Sequence, residues 1–155
     1  MGETIDGDII EGEENITQTN KEYSRIFYKE NPHVFPEVFD KIKEADLILI
    51  SMGSLYTSVM PHLICPDVVN AIKSSPAKVM YICNAMTQPG ETDNFTVNDH
   101  VQTLEKYLGK NTIDAVIATN TVINDELLDK YASEEQKDPV RIDYENIIKE
   151  KKFSK

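Results

Sequence analysis

Apolar and polar positions along this chain follow two alternating rhythms from Phe35 onward, the pattern expected of strands joined by helices in a parallel sheet. The stretch at 35–46 places Phe35, Val38, Phe39 and Ile42 on one face of a short amphipathic helix. LILIS at 47–51, KVMYIC at 78–83 and IDAVIAT at 113–119 are continuous apolar runs, which predicts strands covered on both faces. Between them, Pro66 opens a helix whose stripe is Val68, Val69 and Ile72. TVND at 96–99 has capping-box spacing ahead of Val101, Leu104, Tyr107 and Leu108, and Gly109 suits the end of that helix. Asn124 starts a further helix over 124–135, and PVRID at 139–143 reads as a last short strand.

The first 30 residues break this rhythm. Their β-type residues around Gly7, Gly12 and Asn15 fit a hairpin or extended arm. The expected fold is therefore α/β: a partial Rossmann-like three-layer α/β/α arrangement with a mainly parallel sheet and an N-terminal β arm. One domain is expected over 1–143, with a C-terminal helix or tail over 144–155.

Composition narrows the function. With 27 acidic against 16 basic residues the formal charge is −11, a field that repels phosphate backbones and disfavours nucleic acid and anionic membranes as partners. No apolar run approaches the roughly 18 residues of a membrane span, and the acidic N-terminus lacks a secretory pattern, so a cytoplasmic protein is expected. Cys65 and Cys83 lie in apolar company without metal-ligand spacing and read as buried thiols. His100, in the first turn of a helix, and His62, after Pro61, read as structural; no nucleophile and base stand at a spacing that argues a hydrolase.

Chemistry concentrates in the loops after the strands, where ligands bind in open parallel sheets. Residues 52–58 read MGSLYTS: Gly53 admits close backbone approach and Ser54, Thr57 and Ser58 bring hydroxyls, although a serine there serves equally as a helix cap. Residues 84–95 read NAMTQPGETDNF, longer than a typical connection of about 2–6 residues. Pro89-Gly90 suits a type II turn that swings Glu91, Thr92 and Asp93 back over the strand end. With the amides of Asn84 and Gln88, those carboxylates suit sugar hydroxyls or Mg²⁺, or else they are solvated loop charges. A third loop, at 120–124, lies on the same edge.

Together, ADLILISMGSLYTSVMPHLICPDVVNAI, VMYICNAMTQPGETDNFTVNDHVQTLEKYLG and IDAVIATN resemble the second half of the gluconeogenesis-factor branch of the 2-phospho-L-lactate transferase (CofD-like) family. GEENIT at 12–17 and PVRID also fit. The resemblance implies a cytoplasmic regulator of carbon metabolism and cell shape that binds a nucleotide sugar of the UDP-N-acetylglucosamine type, without catalysing a known reaction. It places Gly53, Ser54, Tyr56, Thr57 and Ser58 on the phosphate side, and Asn84, Thr87, Gln88, Glu91, Thr92, Asp93 and Phe95 on the sugar or base side. The transferase branch implies instead Mg²⁺-dependent phospholactyl transfer, with Asp93 as the candidate metal ligand. Ser51 and Met52 replace the family's Gly-Pro, and the family's glycine-rich strand-turn-helix has no counterpart here. The expectation is thus a truncated chain carrying half of a site, with an inactive remnant as a third reading and homodimerisation left open.

Overall fold

The computed structural model describes residues 1–19, 21–121 and 123–146. Two three-stranded sheets organise the chain. The first is antiparallel, ordered β2-β1-β3, from β1 (Gly2–Thr4), β2 (Ile9–Ile10) and β3 (Tyr23–Ile26). It is the arm predicted for the first 30 residues. Inside it sits an unpredicted helix, α1 (Glu13–Gln18), which buries Ile16 under the hydroxyl of Tyr23. Its sequence has the acidic first turn of a helix but only a single apolar position, too little for periodicity to reveal.

The second sheet is parallel, ordered β4-β5-β6, from β4 (Leu47–Ile50), β5 (Lys78–Ile82) and β6 (Ala115–Ile117). Helices α2 (Pro36–Glu44), α3 (Met60–Leu63), α4 (Pro66–Ser74) and α5 (Val97–Leu108) accompany it, and α6 (Asp125–Lys130) follows β6. Helix α4 touches α2, α3 and α5, so α2–α5 form one layer. The chain supplies the sheet and one helical layer of a Rossmann-like fold. Against that layer Ile50, Val79, Tyr81 and Cys83 are buried with Met60, Leu63, Val69, Ile72, Leu104 and Leu108.

Strand alternation sends the other residues the opposite way. Leu47, Leu49 and Ile117 remain 45%, 53% and 51% exposed. The apolar runs predicted strands covered on both faces; within the described residues only one face is covered. The stripe of α2 differs likewise. Ile42 packs against the core, whereas Phe35 and Val38 are exposed.

Local signals at the start and end of α5 behave as their chemistry requires. Thr96 Oγ1 accepts from the Asp99 backbone N–H at 3.2 Å, and Asp99 Oδ2 accepts from the Thr96 N–H at 2.8 Å. Gly109 ends the helix at φ 91°, a conformation that costs a residue with a Cβ. The segment 139–143 is not a strand. Isolated bridges pair Met86 with Pro139 and Thr96 with Arg141, so it runs as a strap over the 84–97 region. The helix or tail expected over 144–155 falls, from residue 147 on, outside the described residues.

The covered face carries the folding energy, because it holds the apolar area removed from water. Leu104 is wholly buried there. Leu104→Ala is expected to lower unfolding free energy by about 3 kcal/mol, measured by urea denaturation with an unchanged m-value.

Candidate functional site

The polar loops following β4 and β5 meet at the carboxyl edge of the parallel sheet, and three hydrogen-bonded contacts hold them together. Asn84, just past β5, reads the backbone of Gly53 from both sides: its Oδ1 accepts from the Gly53 N–H at 3.1 Å and its Nδ2 donates to the Gly53 carbonyl at 2.8 Å. Ser54 Oγ lies 2.8 and 2.6 Å from the two carboxylate oxygens of Glu91. The Tyr56 N–H donates to Glu91 Oε2 at 3.2 Å. Glu91 is only 6% exposed, so its charge is stabilised by these donors in place of water.

Each loop has a local reason for its shape. After Gly53, Ser54 caps a π-helical turn at 55–59 by accepting from the Thr57 N–H, and the Thr57 hydroxyl contacts Ser54 Oγ. Bonds spanning five residues, from Val59 N to the Ser54 carbonyl and from Met60 N to the Leu55 carbonyl, define that turn and lead into α3. In the second loop, Gly90 has φ 77° and the Glu91 N–H donates to the Gln88 carbonyl at 3.1 Å, the turn Pro89-Gly90 predicts. The turn returns Glu91 toward Ser54. Asp93 Oδ2 accepts from the Gly90 N–H at 2.7 Å and Thr92 Oγ1 from the Gln88 N–H at 2.8 Å. The strap completes the loop: Thr87 N–H donates to the Asp138 carbonyl at 2.7 Å, and Val140 N–H to the Ala85 carbonyl at 2.9 Å.

The predicted site residues consequently divide. Gly53, Ser54, Asn84, Thr87 and Gln88 line one open cleft of about 500 Å³ at the ends of β4 and β5. Glu91, Asp93 and Phe95 line a separate hollow of about 280 Å³ beside Lys21 and Glu22 of the arm. Tyr56 and Thr92 are buried, Thr57 backs Ser54, and Ser58 faces an apolar groove instead of the cleft. The N–H of Gly53 is occupied by Asn84, and a Cβ at residue 53 would meet the Ser58 Cβ at 3.4 Å, an ordinary van der Waals contact. Tyr131 and Lys137 join the cleft unannounced by sequence, carried there by the π-helical turn at 131–135 that extends α6. Only Gln88 offers a side-chain atom in the cleft region, Oε1, that is buried without a partner among the described residues.

Burial explains the titration behaviour. The Tyr56 phenol is pushed up to about 12 and the Cys83 thiol to about 11, chiefly by desolvation, so both stay neutral. Both cysteines are buried free thiols. His100 is 0% exposed, with Nδ1 2.9 Å from the Thr96 carbonyl and Phe95 edge-on at 5.4 Å. Desolvation lowers its pKa below 6.5. His62, read as packing, is exposed at the rim of the apolar groove.

The donor set does not fit Mg²⁺. Glu91 is committed to Ser54 and Tyr56, and Asp93 to Gly90. Among the described residues, no group of three or more His, Cys, Asp or Glu side chains is gathered to hold a metal ion. Nor is any described helix long and apolar enough to cross a membrane.

Comparison with known proteins places this geometry in context. The family described as 2-phospho-L-lactate transferase CofD matches residues 1–154. The gluconeogenesis factor of Bacillus subtilis is 41% identical over 146 residues, covering 94% of this chain and 46% of that protein. That of Halalkalibacterium halodurans is 41% identical over 143 residues, covering 92% and 44%. A crystal structure of a UPF0052-family protein from Bacillus halodurans superposes with a TM-score of 0.89 at 40% identity, covering 96% of this chain and 48% of that one. The chain therefore spans about half the length of the curated relatives it matches.

Two outcomes follow from the loop chemistry. Glu91→Ala strips the acceptor from the Ser54 hydroxyl and the Tyr56 N–H, and is expected to destabilise the protein by about 3 kcal/mol, measured by chemical denaturation. For His100, the lowered native pKa means the unfolded chain binds the proton first; its contribution is complete above pH 6.5 and is lost as pH falls from 6.5 through the native pKa. His100→Asn should flatten the slope of stability against pH below 6.5, read from urea midpoints across that range.

Proposed function

Because the chain belongs to the CofD family and aligns with about half of the relatives named gluconeogenesis factor, we propose that it forms one wall of a nucleotide-sugar site in a cytoplasmic regulator of carbon metabolism and cell shape. The observation that carries this reading is the cleft in which the β4 and β5 loops are locked together by Asn84 with Gly53 and by Glu91 with Ser54. A crevice at the carboxyl ends of parallel strands is where such sheets receive nucleotides.

The roles divide by chemistry. Gln88 lines the cleft, and a turn of its side chain brings the carboxamide oxygen, buried without a partner among the described residues, to a sugar hydroxyl or a base N–H. Lys137 brings positive charge to the rim of a strongly acidic protein, suited to a diphosphate. Asn84, Thr87, Glu91 and Thr92 act by holding the loops, and so position the wall instead of contacting the ligand. The cleft mixes the amides of Asn84 and Gln88 with Met52 and Met86, a lining that suits holding a ligand, and the Ser54 hydroxyl is engaged by Glu91 in the clasp between the loops.

Thermal denaturation with added ligand separates the readings. UDP-N-acetylglucosamine, titrated to millimolar concentration, is expected to raise the melting temperature, because a ligand that binds only the native state stabilises by RT ln(1 + [L]/Kd). Gln88→Ala should weaken that binding about 10-fold while leaving the unliganded melting temperature in place. A rise with GDP and Mg²⁺ alone would favour phospholactyl-type transfer, and no rise with either would favour an inactive remnant.

A further inference from the structure

We infer that the N-terminal arm positions the cleft, and that Tyr23 is the residue through which it acts: its ring sets Tyr56, whose N–H holds Glu91 against Ser54. The arm's role rests on the reading of the cleft as a ligand site, and deepens it by naming what keeps the clasp in shape.

The clasp needs the Tyr56 N–H aimed at Glu91 Oε2. The π-helical turn that carries Tyr56 is five residues long, too short to fix that aim without tertiary packing. Tyr56 is 7% exposed, and its ring meets Tyr23 at a centroid distance of 5.7 Å, tilted by 48°. Helix α1 of the arm touches the same turn. Burial raises the pKa of both phenols most, and the charge of Glu91 adds to each, as expected of two rings standing near that carboxylate.

The Tyr23 ring is itself held from within the arm. Its hydroxyl donates to the Ile16 carbonyl at 2.9 Å. Gly2 in β1 leaves room for it: a Cβ there would lie 2.6 Å from Tyr23 Cε1 and 2.8 Å from Cδ1, so any larger residue displaces the ring. Two further bonds tie the arm to the helices. The Ile26 N–H donates to the Tyr107 hydroxyl of α5 at 3.0 Å, and the Tyr28 hydroxyl donates to the Pro61 carbonyl in α3. The arm thus grips the chain at Tyr56, inside the π-helical turn, and again just beyond the turn's end. Among the described residues, none of the arm lines the cleft, so its influence there runs through Tyr56 and Glu91.

Amide hydrogen exchange of the full chain, without ligand, is the test. In the unmodified protein under rising urea, the Tyr56 amide should exchange through the same opening as the Ile26 amide of the arm, and ahead of Leu104 in α5. Tyr23→Leu removes the ring and Gly2→Ala displaces it; each should speed exchange at Tyr56 about 10-fold or more relative to Leu104. Tyr23→Phe, which loses only the bond to Ile16, should restore that ratio even where it lowers the melting temperature. Should Tyr23→Leu fail to fold, the unmodified protein and Gly2→Ala decide. A Tyr56 amide that stays protected once Ile26 exchanges freely would overturn the proposal, as would one that shifts by the same factor as Leu104 in the variants, because the arm would then contribute stability alone. UDP-N-acetylglucosamine should bind Gly2→Ala about 5-fold more weakly than the unmodified chain. Equal affinity for the two would also overturn the coupling, whereas binding to neither would sink the ligand reading and leave exchange at Tyr56 to decide the role of the arm.

Discussion

A buried carboxylate fixes the working edge of this molecule. Glu91 stands almost fully out of water, and what stabilises it there is a hydroxyl and a backbone N–H from the opposite loop. Ionised carboxylates tolerate such burial only when donors replace their hydration. The requirement works in both directions: Glu91 holds the start of the π-helical turn, and that turn presents the N–H of Tyr56. Asn84 adds a second clasp to Gly53, so the loops after β4 and β5 form one surface.

This arrangement changes what the polar residues are for. A loop rich in amides, hydroxyls and acids reads as a ligand-binding list, yet much of its hydrogen-bonding capacity is spent internally. Thr92 and Asp93 shape the turn around Gly90, and Thr87 anchors the strap through Asp138. The polarity builds a stable rim where regular secondary structure has ended and backbone groups need partners. Among the described residues of the cleft, the carboxamide oxygen of Gln88 stays outside this network.

Much of the fold was legible because the deciding interactions are local. The Thr96–Asp99 box, Pro66, Gly90 and Gly109 act within a few residues, and the alternating periods separate strand from helix. Helix α1 was missed because its six residues bury only Ile16, and its place depends on Tyr23 in the arm. The contact between Ser54 and Glu91 joins positions 37 residues apart, a distance over which spacing carries no information. The strands of the parallel sheet misled in one respect: an apolar run reads the same whether its outer face is covered by this chain or by something else. The split of the site residues between two hollows was equally hidden, since alternate positions of an irregular loop have no period.

The π-helical turn at 55–59 has a consequence for how this sequence can vary in length. Its bonds from Val59 to Ser54 and from Met60 to Leu55 accommodate one residue more than an α-helical turn would. Removing a single residue there would wind the turn into ordinary helix and rotate everything after it by about 100° relative to what precedes it. Met60 and Leu63 would then swing out of the interior, while Ser54 stayed with its acid. Deletions in this stretch are therefore frame errors in three dimensions, and the spacing between Ser54 and Met60 is as much a part of the design as the residues themselves.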